Sequence, residues 1–288
     1  MNLIQEISLF AEPVARIGKY AVTNSMLASW VAAIIIIIFS LSLRFKLKEI
    51  PRGMQNLFEM LVEGAFSLID QVTGDRKLSE KVFPIALPLF LFILLNNWIG
   101  LMPLGWVGQV EHTGKGFLFV PYLRGGSADV NTTIALAVMS VLAANLFGVL
   151  SIGIWKVFNK YVNIKVLSSI PGRIKKDLTV VIVAPITFFV GLIEIIGEIA
   201  KMVSLAFRLF GNIFAGEVLL YSMAALIPYI VPVPFLFLEL LMTSIQALIF
   251  AMLVVVYFTI SASEHGHEDE TDVRKEQEEI KEVLSAKA

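Results

Sequence analysis

Long apolar runs dominate the chain. A helix crossing a bilayer needs about 20 mostly apolar residues, because the hydrocarbon layer is about 30 Å thick and each residue rises about 1.5 Å. Residues 25–43 qualify, with five consecutive isoleucines at their centre, as do residues 83–104, 132–157 and 235–261. Residues 178–227 are also apolar, but too many for one upright crossing. Unpaired backbone groups in lipid cost several kcal/mol each, so such single segments are expected as helices. Residues 54–72 carry a different pattern. Met54, Leu57, Phe58, Leu61, Ala65, Leu68, Ile69 and Val72 recur at three- and four-residue steps, with Gln55, Asn56, Glu59, Glu63 and Asp70 elsewhere. That amphipathic helix either lies at the interface or docks its apolar stripe on neighbouring spans.

Composition removes the soluble alternatives. Hydrophobic residues are 57% of the 288, charged ones 16%, and mean hydropathy is +0.80. A soluble domain has about 45–50% apolar and about 25% charged residues. The net charge of −1 argues against a nucleic-acid partner. The absence of cysteine excludes disulfides, thiolate metal sites and thiol nucleophiles. Residues 1–19 lack the layout of a signal peptide, and their acidic residues argue against a transit peptide.

Short loops rich in Lys and Arg mark the cytoplasmic side. Residues 44–81 hold seven such residues and residues 156–176 hold six. The opposite segments hold only Arg16, Lys19, Lys115 and Arg124. The N-terminus is therefore expected outside, together with loop 105–129 and its Gly125–Gly126 turn. The turn at residues 228–234 is uncharged, so the C-terminus falls inside if residues 178–227 cross once and outside if they form a hairpin. The tail, residues 264–288, has nine acidic and four basic residues and is expected to be solvated, partly helical or disordered. His265 and His267 on such a tail are not expected to form a metal site.

Ionisable groups inside a span are costly and mark a task. Residues 178–227 contain Glu194, Glu198, Lys201, Arg208 and Glu217, and the last span contains Glu239 and Gln246. At about 100° per residue, Glu194, Lys201, Arg208 and Asn212 fall within about 40° of one line. Gly197, Ser204, Gly211, Ala215 and Ser222 lie on or near that stripe, where small side chains admit a second helix. Glu217 points roughly the opposite way. Glu239, Thr243 and Gln246 share a face of the last helix. A purely structural network is the plainer alternative, with Lys201 on Glu194 or Glu198, and Arg208 on Glu217 or Glu239. Arg208 has no acidic residue three or four positions away and cannot lose its charge, so its partner must come from another helix or chain.

Residues 204–217 (SLAFRLFGNIFAGE) resemble the signature of the subunit a family of F-type ATP synthases, in which R-L-F-G-N surrounds an essential arginine. Residues 24–30 (NSMLASW), 96–103 (NNWIGLMP), 127–132 (SADVNT) and 244–250 (SIQALIF) resemble further motifs of that family in the same order. The resemblance implies an all-α integral membrane protein of about five crossings plus an interfacial helix. It also implies a long last pair of helices tilted against a rotor ring, which puts the C-terminus in the cytoplasm. Residues 1–263 form one membrane domain in this reading, and residues 264–288 a cytoplasmic tail.

The same resemblance implies a stator subunit that passes H⁺ or Na⁺ through two half-channels to and from the carboxylates of a c-subunit ring. The b-subunit peripheral stalk and the rest of the F0F1 complex are then partners, with no cofactor and no metal. Arg208 matches the ion-displacing, leak-blocking arginine. Asn212, Glu217, Gln246 and Glu194 match polar positions of the ion path. Glu239 stands where the family has His or Glu, so both positions of the pair are Glu here, and which of them titrates stays open. Ser204, Gly211 and Ala215 form the stripe of close approach. Such a subunit is not an enzyme by itself, and the setting is a bacterial cytoplasmic membrane. The competing reading is a secondary transporter or stand-alone channel, but the related halves common in transporters are not evident.

Overall fold

A computed structural model describes residues 3–4, 11–46, 53–102, 108–113, 116–153, 179–227 and 230–263. The basic loop 156–176, the tail with His265 and His267, and part of the turn at residues 228–234 lie outside the described residues. Among the described residues six helices carry the fold: α1 (Asn24–Lys46), α2 (Met54–Thr73), α3 (Arg76–Leu101), α4 (Val130–Ile152), α5 (Thr179–Leu226) and α6 (Pro232–Ser263). Of these, α1, α3, α4 and α6 contain stretches long and apolar enough to cross a membrane. The protein is an all-α membrane protein, with small β-ribbons at its loops.

Those ribbons were not foreseen. Strands β1 (Leu3–Ile4), β4 (Gly108–Thr113) and β5 (Gly116–Pro121) form one sheet in the order β1-β5-β4, and β2 (Pro13–Ile17) pairs with β3 (Tyr20–Thr23) as an antiparallel hairpin. Gly18 at φ 64° makes the β2–β3 turn. Most of the described part of loop 105–129 is thus a pair of antiparallel strands. A 3-10 turn at Gly126–Ala128 follows it and leads into α4.

Helix ends differ from the hydropathy pattern where polar residues continue a helix. α3 begins seven residues before the apolar run, because Asp75 caps it by accepting from the Lys77 N–H at 3.0 Å. Arg76 then pairs with Asp70 at 2.6 Å and lies 4.2 Å from the centre of the Phe66 ring, which stacks on Phe83 at 3.9 Å. These contacts dock α2 on α3, and Phe58 meets Phe39 of α1 edge-on at 5.7 Å. α5 is one continuous helix of 48 residues, roughly 72 Å long, with no hairpin within it.

The chain divides into two compact units. In the first, residues 1–139 and 202–255, α1 and α3 pack through Ala28, Ala32 and Ile99, flanked by Phe92, Leu95 and Leu123. Beside this apolar contact runs a buried polar seam. Ser25 donates to Asp129 at 3.1 Å, Asn96 donates to Ser29 at 3.1 Å, and the Asn96 carbonyl accepts from the Gly126 N–H at 3.2 Å. Trp98 donates to Ser244 at 3.1 Å, tying α3 to α6. In the second unit, residues 140–201 and 256–288, Phe147 packs on Phe258 at 5.4 Å. Gly148 lies close to Ser261, and a Cβ there would only come into ordinary contact with it.

Candidate functional site

The charged positions of α5 separate into the two units. In the second, Lys201 donates to Glu198 at 2.7 Å, one helical turn away, and Asn145 donates to the other oxygen of Glu198 at 3.3 Å. Lys201 also lies 5.7 Å from the centre of the Tyr257 ring. Glu198 is thus the partner of Lys201, one of the two that the purely structural network allowed. Glu194 is half-buried in this unit.

The other predicted residues all lie in the first unit. Ser204, Arg208, Gly211 and Ala215 are exposed along one stripe of α5, and a side chain added at Gly211 would meet only open space. Among the described residues no hydrogen bond or ion pair reaches the Arg208 guanidinium. The pairing of Arg208 with Glu217 or Glu239 is therefore not found. Helical geometry explains this for Glu217, since nine residues place it far from the Arg208 stripe.

Glu217 has a different partner. Arg124, in the turn before α4, grips it with a guanidinium fork: Nε donates to both carboxylate oxygens at 2.9 and 3.2 Å, and Nη2 donates to Oε2 at 2.7 Å. Arg124 is only 7% exposed and the Glu217 side chain 18%, so the pair is largely removed from solvent. This planar, bidentate geometry is one that Arg provides and Lys does not.

α6 turns its polar row inward. Glu239 is 5% exposed, Thr243 1% and Gln246 5%. The Glu239 carboxyl lies directly against Gly216, where any Cβ would strike it. The absence of a side chain at Gly216 is what lets a carboxyl enter between the two helices. Further along, Asn212 donates to the Gln246 oxygen at 3.5 Å, and the Gln246 Nε2 has no partner among the described residues. The Glu217 and Glu239 positions expected as a pair, and the Asn212 and Gln246 positions expected on the ion path, thus all lie on one α5–α6 seam, while the Arg208 stripe faces outward.

Sequence reasoning missed Arg124 and Gly216. Arg124 had entered only as one charge of an outer loop, 93 residues from its partner. Gly216 sits beside Ala215, one position away from the small-residue stripe. The adjacent Gly125–Gly126, which signals tight packing of the segment bearing Arg124, was the available clue.

In composition, the site is a row of amides and carboxyls between two apolar helices, with one unpaired guanidinium on the outer surface. Comparison with known proteins agrees with that character. The profile of the family described as ATP synthase A chain matches residues 26–259. ATP synthase subunit a of Trichlorobacter lovleyi is 32% identical over 244 residues, spanning 85% of this chain and 89% of that one. The subunit a of Mycobacterium tuberculosis is 30% identical over 248 residues, spanning 84% and 88%. That of Moorella thermoacetica is 28% identical over 267 residues, spanning 93% and 100%.

Proposed function

The chain belongs to the ATP synthase A chain family, membrane subunits of the F0 sector that are not enzymes by themselves, and from this premise we propose that it is the stator half of a rotary ion path. Its partner is a ring of c subunits bearing buried carboxylates, and protons (or Na⁺) reach and leave that ring through two offset half-channels. A peripheral b-subunit stalk holds it against the ring's rotation. The membrane is the bacterial cytoplasmic membrane, with the N-terminus outside and the C-terminus in the cytoplasm.

The observation that supports this most is the unpaired Arg208 on an outward stripe with Ser204, Gly211 and Ala215. A guanidinium facing lipid costs at least about 3 kcal/mol, so such a face calls for a covering partner with a negative charge. Small neighbours let that partner approach closely. A c-ring carboxylate arriving there meets a permanent positive charge, gives up its ion and moves on, and the same charge blocks direct leakage. Each ion descending the membrane potential supplies about 2.3 kcal/mol per 100 mV to rotation. Asn212 and Gln246, with Glu217 and Glu239, line the path on the α5–α6 seam. Glu194 lies on the same long helix and serves the ion path from there.

Close approach is tested by bulk. Gly211→Leu and Ala215→Leu are each expected to reduce ATP-driven pumping severely, whereas Phe214→Leu, in a half-buried residue stacked on Phe210 at 5.2 Å, costs little. Equal tolerance at all three positions in a vesicle pumping assay would remove this stripe from the ring interface. A methyl at the seam is tested separately. Gly216→Ala drives a Cβ into the Glu239 carboxyl. The carboxyl sits at the end of a flexible side chain and must swing away from α5, so thermal stability should change little while pumping falls; unchanged pumping would refute the contact.

A further inference from the structure

We propose that Arg124 is a positioning residue for ion transfer: its fork holds Glu217 as a fixed carboxylate, so that the proton exchanged on this seam is carried by Glu239. This rests on reading the α5–α6 seam as part of the ion path.

Three observations carry it. The first is the bidentate grip itself, with both Glu217 oxygens engaged by a group that keeps its charge at any workable pH. A proton on either Glu217 oxygen would displace one of these charge-assisted hydrogen bonds, so the grip favours a carboxylate that stays in place.

The second is how firmly Arg124 is held. The backbone of Gly125 presses on Gly100 of α3, where a Cβ at Gly100 would collide with it. Gly126 is packed against the Asn96 amide and the Ser29 hydroxyl, and its N–H donates to Asn96 at 3.2 Å. Two glycines in succession let this turn lie flat on α3, and the contact fixes where Arg124 begins. Downstream, Asp129 is held by Ser25 and by the Asn131 N–H at 3.1 Å each. The arginine therefore reaches Glu217 from a backbone anchored on both sides.

The third is the contrast with Glu239. It is as buried as Arg124, yet among the described residues no hydrogen bond or ion pair engages its carboxyl. From α5 it faces Glu217 and the bare backbone at Gly216, with Arg124 engaged on Glu217 in turn. On its own helix the next polar groups are the neutral Thr243 and Gln246. A proton can bind to or leave Glu239 without breaking any contact, whereas at Glu217 every change of protonation dismantles the fork. Two glutamates facing each other at one end of the seam thus take different parts, one structural and electrostatic, the other mobile.

The test uses the assembled ATP synthase in inverted membrane vesicles, reading ATP-driven proton pumping across the neutral pH range. Assembly is checked by membrane-bound ATPase. Glu239→Gln should slow pumping at least about tenfold, within the usual contribution of a positioned proton carrier. Adding Arg124→Gln to that variant frees Glu217 to take over, so the pair should pump several-fold faster than Glu239→Gln alone, with a displaced pH profile. Adding Arg124→Lys keeps a positive charge on Glu217 and should leave pumping slow.

An assembled Arg124→Gln/Glu239→Gln complex no faster than Glu239→Gln overturns the proposal. A second measurement avoids altering Arg124: the acid-minus-alkaline infrared spectrum should lose a carboxyl C=O band in the Glu239→Gln complex, and an unchanged spectrum overturns the proposal as well. Arg208→Ala serves as the separating control. If it stops pumping while Glu239→Gln pumps at the native rate, only the assignment of the mobile proton fails. If Arg208→Ala itself pumps normally, the stator reading fails and takes this proposal with it.

Discussion

Arg208→Ala is expected to abolish both ATP synthesis and ATP-driven pumping in a complex that still assembles. The expectation follows from what the side chain does not touch. Among the described residues nothing pairs with Arg208, so removing it orphans no group and leaves no internal cavity in this chain. The loss therefore falls on function and not on folding. In the proposed mechanism, without a fixed cation on the stripe nothing displaces the ion from an arriving carboxylate, and nothing stops ions from crossing between half-channels without turning the ring. Arg208→Lys should fail as well. An ammonium can shed its proton when desolvated, and it has no planar fork with which to engage a carboxylate. Assembly is checked by co-purification with the c subunits. Near-native pumping by either variant would refute the role assigned to Arg208.

The second large effect is an asymmetry between Glu217 and Glu239. Glu217→Gln is expected to lower stability, because it removes the carboxylate that the buried Arg124 fork engages through three hydrogen bonds. Breaking one side of such a pair costs about 3 kcal/mol. The complex should then lose activity on heating well below the native temperature, and Arg124→Gln in the same chain should restore part of that resistance. Glu239→Gln removes a carboxyl with no engaged partner, so thermal resistance should stay near native while proton flux falls. Both single variants should slow flux, and the double variant should lose less than the two losses combined, as groups serving one step do. Thermal inactivation and flux measured on the same preparations decide the matter. Equal thermal resistance of the two single variants would show that the Arg124–Glu217 pair adds nothing to stability.

The elements that hydropathy governs were legible in the sequence. Residues 25–43 became Asn24–Lys46 and residues 235–261 became Pro232–Ser263, because lipid imposes helix on any long apolar run. The inward polar row of Glu239, Thr243 and Gln246 was legible for a similar reason, since three residues at fixed helical spacing must share a face. Loop structure was not. The antiparallel pair of β4 and β5 depends on backbone pairing within residues that carry no regular alternation. The start of α3 depends on one capping aspartate. The Arg124–Glu217 pair is a further step removed, because a salt bridge between a turn and a distant helix leaves no periodic trace in either. Sequence spacing showed that Arg208 had no local partner, but not that Glu217 already had one.

The inward polar row of α6 also bears on how the subunit is made. α6 emerges from the ribosome after α5, and its apolar stretch has a mean hydropathy of 2.3, ample for insertion on its own. At that moment Glu239 has no notch to enter, and exposure to lipid costs it about 3 kcal/mol on the scale of helix insertion, which the apolar remainder of the helix outweighs. Docking against the already inserted α5, at Gly216, then relieves that cost. Biogenesis can thus proceed in two stages, insertion first and lateral association second, and the carboxyl itself gives the late helix a reason to find its place.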